Sequence, residues 1–188
     1  MLLVRESRNG GKLYVINIVD RLRSDSVLFD IYKIDETVYH PEERSTMNQI
    51  MDRFKTRKND FLLAYCGNKL IGYLSYFPIN NECRNKLLNE DDFMDGCIDS
   101  THILNNKLQG SSVYIISVAV LPEYQGLGIG ATLFKELDKR FYYLNNIYGC
   151  EEFIATAVTD SGARVLTSSG FKELKIKSSN YCVMCKQG

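Results

Sequence analysis

The chain has 188 residues, of which 45% are hydrophobic and 24% are charged. This length is sufficient for one domain with a buried core, and we expect residues 1–188 to form a single domain. The 23 basic and 23 acidic residues cancel, so the overall charge favours neither nucleic acid nor a membrane surface as a partner.

Segment hydrophobicity and cysteine usage predict a soluble, cytoplasmic protein. No apolar stretch approaches the roughly 18 to 20 residues of a transmembrane helix, and residues 1–11 become charged too early for a secretory signal. The six cysteines are scattered through a chain too long to need disulfides. Cys182 and Cys185 form a CxxC, but no second Cys/His pair completes a zinc site. We therefore expect structural thiols and no bound metal.

The N-terminal part predicts a hairpin followed by two helices. The apolar strand 13–19 can pair with residues 2–6 through the turn Arg-Asn-Gly-Gly. From Asp25 to His40 apolar residues recur at helical spacing. Pro41 ends that helix and can begin a second one, residues 41–57, with acids in its first turn and bases in its last.

The middle of the chain predicts a second hairpin and a long polar connection. Two apolar runs, residues 61–66 and 69–77, flank Gly67 and Asn68, which is typical of an antiparallel hairpin. Residues 80–110 are polar and acidic and predict a short helix and a long loop of the kind that often carries function.

The C-terminal part alternates strands and helices, which predicts a mixed α/β fold with one sheet. The first strand of this part is almost uninterrupted in its apolar residues, as in strands buried on both faces. The predicted elements are a strand at 112–120, a helix from Ile129 to about Ile147, a strand at 152–158, a helix at 161–169 ended by Gly170, and strands at 171–176 and 180–186.

Three glycines, Gly126, Gly128 and Gly130, lie between the strand and the helix of this part. A glycine-rich turn that opens a helix presents backbone N–H groups and the positive end of the helix dipole, which together favour phosphate. A Walker A loop is excluded because no Gly-Lys-Ser/Thr follows at the required spacing. The glycine turn must therefore belong to another type of phosphate-binding motif.

A dinucleotide fingerprint is a weaker alternative. Gly126, Gly128 and Ala131 fit G-x-G-x-x-G/A, and Glu151 and Glu152 follow about 20 residues on. However, Leu-Pro-Glu-Tyr-Gln separates the strand from the glycines, and the motif comes too late in the chain for the remaining strands of that fold.

The whole segment Val-Ala-Val-Leu-Pro-Glu-Tyr-Gln-Gly-Leu-Gly-Ile-Gly resembles the acyl-CoA loop of the GNAT superfamily of N-acetyltransferases. In that pattern a hydrophobic strand and Pro-Glu-Tyr precede Gln/Arg-x-x-Gly-x-Gly/Ala, which Gln125, Gly128 and Gly130 match. The element order is similar from about Leu13 to Lys186. The resemblance implies the GNAT acyl-CoA N-acyltransferase fold, a mixed, mostly antiparallel central sheet with splayed strands flanked by helices.

The same resemblance implies acetyl-CoA as co-substrate. The backbone of Val118 and Val120 would bind the pantetheine amides, and the N–H groups of residues 126–131 would bind the pyrophosphate. The implied CoA-binding residues are Val118, Ala119, Val120, Gln125, Gly126, Leu127, Gly128, Ile129, Gly130, Ala131 and Thr159.

The catalytic groups are less well defined by the resemblance. Members usually carry Asn-x-x-Ala-x-x-x-Tyr followed four residues later by Gly-Phe, and counting back from Gly170 places Thr159, Gly162 and Leu166 at the three named positions. Leu166 cannot donate a proton to the CoA thiolate. Water could protonate this leaving group, whose thiol pKa is near the cysteine value of about 8.5. Further candidates are Tyr181 and Ser168 as acids, Tyr114 and Ser117 for ordering water, and His40 and His102 as groups that titrate near neutrality.

We therefore expect an N-acetyltransferase in which a primary amine attacks the thioester directly in a ternary complex. The acceptor stays open between a polyamine, an aminoglycoside, an amino-acid derivative and a protein N-terminus or lysine, and a homodimer is possible. A catalytically silent acyl-CoA binding module is the alternative that Leu166 suggests. Five acids of the polar connection could attract a cationic amine, although such charge runs are usually only solvated: Glu90, Asp91, Asp92, Asp95 and Asp99.

Overall fold

The computed structural model describes residues 3–9, 12–20, 24–105, 111–177 and 181–188. The chain divides into two compact units, a first unit of Met1–Ser75 with Ser117–Glu136 and a second unit of Tyr76–Ile116 with Leu137–Gly188. The division neither confirms nor contradicts the expected single domain, which stays a prediction.

Eight strands and six α-helices, together with two short 3₁₀ turns at Asp95–Cys97 and Pro122–Tyr124, make up the described part of the chain. In chain order they are β1 (Leu3–Asn9), β2 (Lys12–Val19), α1 (Val27–Val38), α2 (Met47–Thr56), β3 (Phe61–Cys66), β4 (Lys69–Ile79), α3 (Asn81–Asn89), β5 (Ser111–Val120), α4 (Ile129–Asp138), α5 (Phe141–Tyr148), β6 (Cys150–Ala157), α6 (Asp160–Ser168), β7 (Lys172–Ile176) and β8 (Cys182–Gln187).

In the first unit the strands follow the order β1-β2-β3-β4-β5, and the pairs β1–β2, β2–β3 and β3–β4 are antiparallel. Both predicted hairpins are confirmed, although the turn between β1 and β2 lies outside the described residues. Helices α1 and α2 pack on this sheet because their apolar residues recur on one face. The core of the unit contains Val27, Leu28, Ile31, Ile34, Ile50, Phe54, Phe61, Leu63, Tyr65, Leu70, Tyr73 and Ala119.

In the second unit β5 and β6 are parallel, and β6, β8 and β7 continue the sheet with antiparallel pairing. The mixed α/β class and the mostly antiparallel pairing predicted from the sequence are thus confirmed, and the splaying of strands stays a prediction. The core of this unit contains Phe77, Ile79, Cys83, Leu87, Phe93, Ile98, Ile103, Tyr114, Ile116, Ile154 and Val183.

The predicted start of the second helix is wrong. Residues 41–46 form turns and extended backbone, and α2 begins only at Met47. The reason is a capping box: the Thr46 hydroxyl accepts from the Gln49 N–H, and the Gln49 side chain accepts from the Thr46 N–H. The acids expected in the first turn therefore precede the helix.

The single helix predicted from Ile129 to Ile147 is two helices, α4 and α5. The chain turns at Arg140, whose N–H donates to the carbonyl of Leu137. No glycine or proline marks this break, and Phe141 follows Leu137 at a spacing of four, so the apolar pattern passes through the turn unchanged.

Candidate functional site

The end of β5 lies very close to β4. A Cβ atom added at Gly72 would be 2.8 Å from the Ala119 carbonyl oxygen and 3.1 Å from Val120 Cγ2. Contacts that short do not occur with a side chain in place, so only glycine permits this approach. The Leu121 N–H donates to the Ile71 carbonyl at 2.9 Å, which fixes the position where β5 ends.

A 3₁₀ turn at Pro122–Tyr124 follows β5, and side chains fix it to the strands beside it. The Gln125 side-chain amide donates to the Val120 carbonyl at 2.9 Å. Glu123 forms an ion pair of 2.9 Å with Lys69, whose ammonium lies 5.4 Å from the centre of the Tyr124 ring. The chain thus leaves β5 in a fixed direction.

The glycine turn then leads into the start of α4. Gly126 and Gly128 have φ angles of 75° and 72°, in the left-handed region where glycine is favoured. Leu127 and Ile129 are buried and anchor the turn between these glycines and the helix. Among the described residues, no atom beyond the two chain neighbours lies within 4 Å of the place where a Cβ of Gly126 would be, so the space beside it is open.

This geometry suits a phosphate group. The first N–H groups of a helix have no partner within the helix, and they coincide with the positive end of its dipole. In α4 these groups belong to Ile129, Gly130 and Ala131, and the Thr132 N–H donates to the Gly128 carbonyl at 3.1 Å. The residues that the resemblance implies for CoA, other than Thr159, all belong to the first unit.

A line of hydroxyl groups connects the same strand end to a buried acid. The Tyr39 hydroxyl donates to the Val118 carbonyl at 2.7 Å, and the Ser117 hydroxyl donates to the Tyr39 oxygen at 3.2 Å. The oxygen of Ser117 lies 2.8 Å from that of Tyr73, and the Tyr73 hydroxyl is bonded to the Asp35 carboxyl. Asp35 and Tyr73 are each only 2% exposed, whereas Tyr39, Ser117 and Val118 are half-buried.

Burial perturbs both ends of the Asp35–Tyr73 pair. Desolvation raises the pKa of the Asp35 carboxyl from 3.8 to about 7, against the opposing effects of the Tyr73 hydroxyl and of the positive charges of Arg53 and Arg44. Desolvation, with the Asp35 charge as the next cause, raises the pKa of Tyr73 well above its ordinary value. Asp35 is therefore an acid that exchanges its proton near neutrality.

Three other sequence candidates for catalysis, Tyr114, Ser168 and Tyr181, lie in the second unit. Tyr114 is fully buried, its hydroxyl contacts Asp95 and, at 2.8 Å, the Thr156 hydroxyl, and burial raises its pKa well above the ordinary value. The Ser168 hydroxyl donates to the Val165 carbonyl at 2.8 Å near the end of α6, and the Tyr181 carbonyl accepts from the Lys177 N–H. Ser117 itself belongs to the first unit.

The positions of the family's Asn-to-Tyr pattern also lie in the second unit. Thr159 caps α6, with its hydroxyl accepting from the Gly162 N–H at 3.0 Å. Leu166 is 3% exposed and forms part of the apolar face of that helix. Ser169 and Gly170 close the helix through bonds to the carbonyls of its last turn.

The acids of the polar connection are largely engaged by neighbours. Asp91 forms a 2.8 Å ion pair with Lys175, Asp95 contacts Tyr114, and Asp99 accepts from Thr101. His102 is 9% exposed, its Nδ1 lies 3.0 Å from the Asp99 carboxylate, and its ring contacts Phe93. His40 is exposed, and Glu90 and Asp92 are also exposed. These contacts favour a structural role for the segment.

The CxxC pair follows the strand pattern. Cys182 and Cys185 lie three apart on β8, where such positions face opposite sides of the sheet. Burial raises the pKa of both thiols. No group of three or more metal-ligating side chains occurs in the described ranges, and within them no helix is long and apolar enough to cross a membrane.

Comparison with known proteins gives the family. The model of the Acetyltransferase (GNAT) family matches residues 26–171. The chain belongs to the GNAT acetyltransferase family. A search of the curated proteins gives no match.

Solved GNAT structures share this fold at low sequence identity. The loading GNATL domain of CurA from Lyngbya majuscula is 16% identical with a TM-score of 0.67, covering 90% of this chain and 96% of that one. Naa50 from Arabidopsis thaliana, solved with the bisubstrate analogue CoA-Ac-MVNAL, is 18% identical with a TM-score of 0.59 and coverages of 91% and 97%. The ribosomal-protein-S18-alanine N-acetyltransferase from Escherichia coli is 11% identical with a TM-score of 0.59 and coverages of 92% and 93%.

The structure contains the glycine turn that the sequence predicted, and its assignment to CoA stays a prediction. The sequence did not single out Asp35, Tyr39 or Tyr73. One signal was available for Asp35, which follows the buried Ile31 by four residues and so interrupts an apolar helix face with an acid. No comparable signal marked the two tyrosines.

Proposed function

We propose that this protein is an acetyl-CoA-dependent N-acetyltransferase that transfers acetyl to a primary amine by direct attack in a ternary complex. The observation that carries the proposal is the turn at residues 125–131, in which two left-handed glycines lead into the start of α4 directly after the close-packed end of β5. Membership of the GNAT family and neighbours solved with CoA groups support the choice of donor.

The roles proposed for the chain follow from its own groups. The N–H groups of residues 126–131 would hold the pyrophosphate, and the backbone of Val118 and Val120 would hold the pantetheine; the resemblance also implies Thr159 as a CoA-binding residue. Acetyl-CoA supplies an activated acyl group on a tolerable leaving thiolate. The chain has to hold that group, orient the amine and remove a proton from its nitrogen.

Binding is the first test. Isothermal titration calorimetry with CoA and acetyl-CoA should show binding to the wild type and at least a tenfold loss of affinity in Gly128→Glu, whose carboxylate opposes the pyrophosphate. Gly67→Glu is the matched control, because Gly67 is also a left-handed glycine of the first unit, with a φ of 59°, but lies in the β3–β4 turn. Equal affinities in all three proteins contradict the assignment of the turn.

Turnover is the second test. CoA release should be followed with a thiol reagent over spermidine, an aminoglycoside, a free amino acid and the peptide Met-Val-Asn-Ala-Leu. Release above background with any of these supports the transferase.

A catalytically silent acyl-CoA module is the second candidate, favoured by the buried Leu166 at the position of the usual acid. It predicts that acetyl-CoA binds and that no amine causes release of CoA.

We also propose that the protein is cytoplasmic and that its acceptor is a small molecule or a peptide, which the balanced charge and the free cysteines support. We propose a single domain that can form a homodimer.

A further inference from the structure

The line from Asp35 to Val118 contains more hydrogen bonds than its hydroxyl groups can supply. Four oxygen pairs are within bonding distance: Asp35 with Tyr73, Tyr73 with Ser117, Ser117 with Tyr39, and Tyr39 with the Val118 carbonyl. Each hydroxyl has a single hydrogen, and the carbonyl has none. Three hydroxyls therefore satisfy only three of the four pairs, and the fourth hydrogen has to come from the Asp35 carboxyl.

The protonation state of Asp35 consequently sets the direction of the bonds. When Asp35 is protonated it can donate to Tyr73, Tyr73 donates to Ser117, and all four pairs hold a hydrogen. When Asp35 is ionised, Tyr73 donates to the carboxylate, and either the Tyr73–Ser117 pair lacks a hydrogen or every hydroxyl points toward Asp35. In the last arrangement the Val118 carbonyl receives no bond from Tyr39 and can accept one from another donor.

We propose that Tyr39, Ser117 and Tyr73 form a proton relay that carries one proton from the acceptor amine to Asp35 during acetyl transfer. This inference rests on the proposed function, because it assigns the reacting groups to the Val118 end of the line. Tyr39 is then a catalytic residue that contacts the amine, and Asp35 is a positioning and proton-storing residue that acts through the hydroxyls.

The step balances in atoms and charge. The nitrogen lone pair forms the C–N bond to the acetyl carbon, the C–S bond breaks, and its electron pair leaves on sulfur, which takes a proton from water. One N–H bond breaks, and its proton passes to the Tyr39 oxygen. Tyr39 passes its own hydrogen to Ser117, Ser117 to Tyr73, and Tyr73 to the Asp35 carboxylate. Asp35 later returns the proton along the same line to solvent.

The surroundings of Asp35 suit this exchange. The groups that face it are Tyr73 from β4 and Arg53 from α2, with Arg44 acting from the connection between α1 and α2. Burial raises the pKa of the carboxyl to about 7 in the presence of both arginines. A base with that value is ionised in a large fraction of molecules at neutral pH and still accepts a proton readily.

A ligand-free experiment tests the line itself. The pKa of Asp35 is measured by ¹³C NMR of the aspartate carboxyl carbons, with Asp35→Asn identifying the resonance. Ser117→Ala removes the acceptor that Tyr73 needs when Asp35 is protonated, so we expect the pKa to fall by about 0.5 to 1 pH unit, the equivalent of one hydrogen bond. Tyr39→Phe should lower it in the same direction. Tyr32→Phe, on α1 and also half-buried, is the matched control and should leave it unchanged. An unchanged value in both Ser117→Ala and Tyr39→Phe overturns the relay.

A kinetic experiment tests the proton transfer with the best amine of the panel. In the wild type kcat/KM should rise with pH in two steps, one with an apparent pKa near that of Asp35 and one with the pKa of the amine. The asparagine side chain of Asp35→Asn can donate to Tyr73 but cannot accept a proton. In this variant the rise of kcat/KM at the pKa of Asp35 should disappear, and kcat should fall roughly 100-fold with acetyl-CoA affinity retained. If kcat/KM of Asp35→Asn still rises with pH at the pKa of Asp35, the relay is overturned and the proposed function is unaffected. Failure of the wild type to bind acetyl-CoA refutes the proposed function itself, which the NMR arm does not address.

Discussion

The buried Asp35 should make the stability of this protein depend on pH in an unusual direction. Its pKa is raised from 3.8 to about 7 on folding, so between these values the folded protein binds more protons than the unfolded chain. The free energy of unfolding therefore falls as the pH rises through this window, and it levels off above pH 7. Most paired carboxylates act in the opposite sense, because their folded pKa is depressed.

The magnitude follows from the part of the window that an experiment covers. Between pH 5 and pH 8.5 about 2 pKa units of the window are crossed, and at ~1.4 kcal/mol for each the wild type should lose about 2 to 3 kcal/mol. Asp35→Asn keeps the shape and a donor toward Tyr73 but cannot ionise, so it should lack this loss. Urea unfolding followed by circular dichroism at both pH values, with ionic strength held constant, measures the difference between the two proteins.

Other titrating groups cancel when the two proteins are compared. Asp30→Asn, an exposed acid on the same helix, controls for the removal of a carboxylate. If the wild type and Asp35→Asn change by the same amount within about 0.5 kcal/mol, a value set by the precision of extrapolated unfolding free energies, the assigned burial of the Asp35 charge is refuted.

Three further substitutions test individual packing and capping features. Gly72→Val should destabilise the protein by about 1 to 3 kcal/mol, because its Cβ would meet the Ala119 carbonyl at 2.8 Å, and an unchanged urea midpoint would contradict that approach. Thr46→Ala should cost about 1 kcal/mol in urea unfolding by removing the capping box of α2, whereas Ser24→Ala, which caps no helix, should cost less than half of that. Tyr114→Phe should lower the thermal midpoint, since the loss of its hydroxyl removes its part-buried hydrogen bond to Asp95; a midpoint at or above that of the wild type would show that this contact does not stabilise the fold.

Local chemistry was enough to predict most elements of the fold. The apolar spacing of α1, the Gly-Asn turn between β3 and β4 and the long apolar β5 all reflect interactions between residues close in sequence. The break at Arg140 was missed because the apolar pattern continues across it, and the start of α2 was misplaced because the Thr46–Gln49 cap outweighs the preference of Pro41 for a first helical turn.

The candidate site was also predictable from the sequence only in part. The glycine turn was predictable because a contiguous motif carries its chemistry. The relay was not, because Tyr73 and Ser117 are 44 positions apart and Tyr39 and Val118 are 79 apart, so only the tertiary fold brings their oxygens together. Ser117 was singled out for ordering water, and its hydroxyl partners could be recognised only in three dimensions.

The two carbonyl bonds at the end of β5 also bear on how the ligand-free protein avoids association. Alternate residues of a strand direct their carbonyls to the same edge, and those of Val118 and Val120 are met by the Tyr39 hydroxyl and the Gln125 amide. An open strand edge is a template for pairing with another chain. The Tyr39 hydroxyl and the Gln125 amide occupy these two acceptors, so neither carbonyl is free to pair with a strand of another chain.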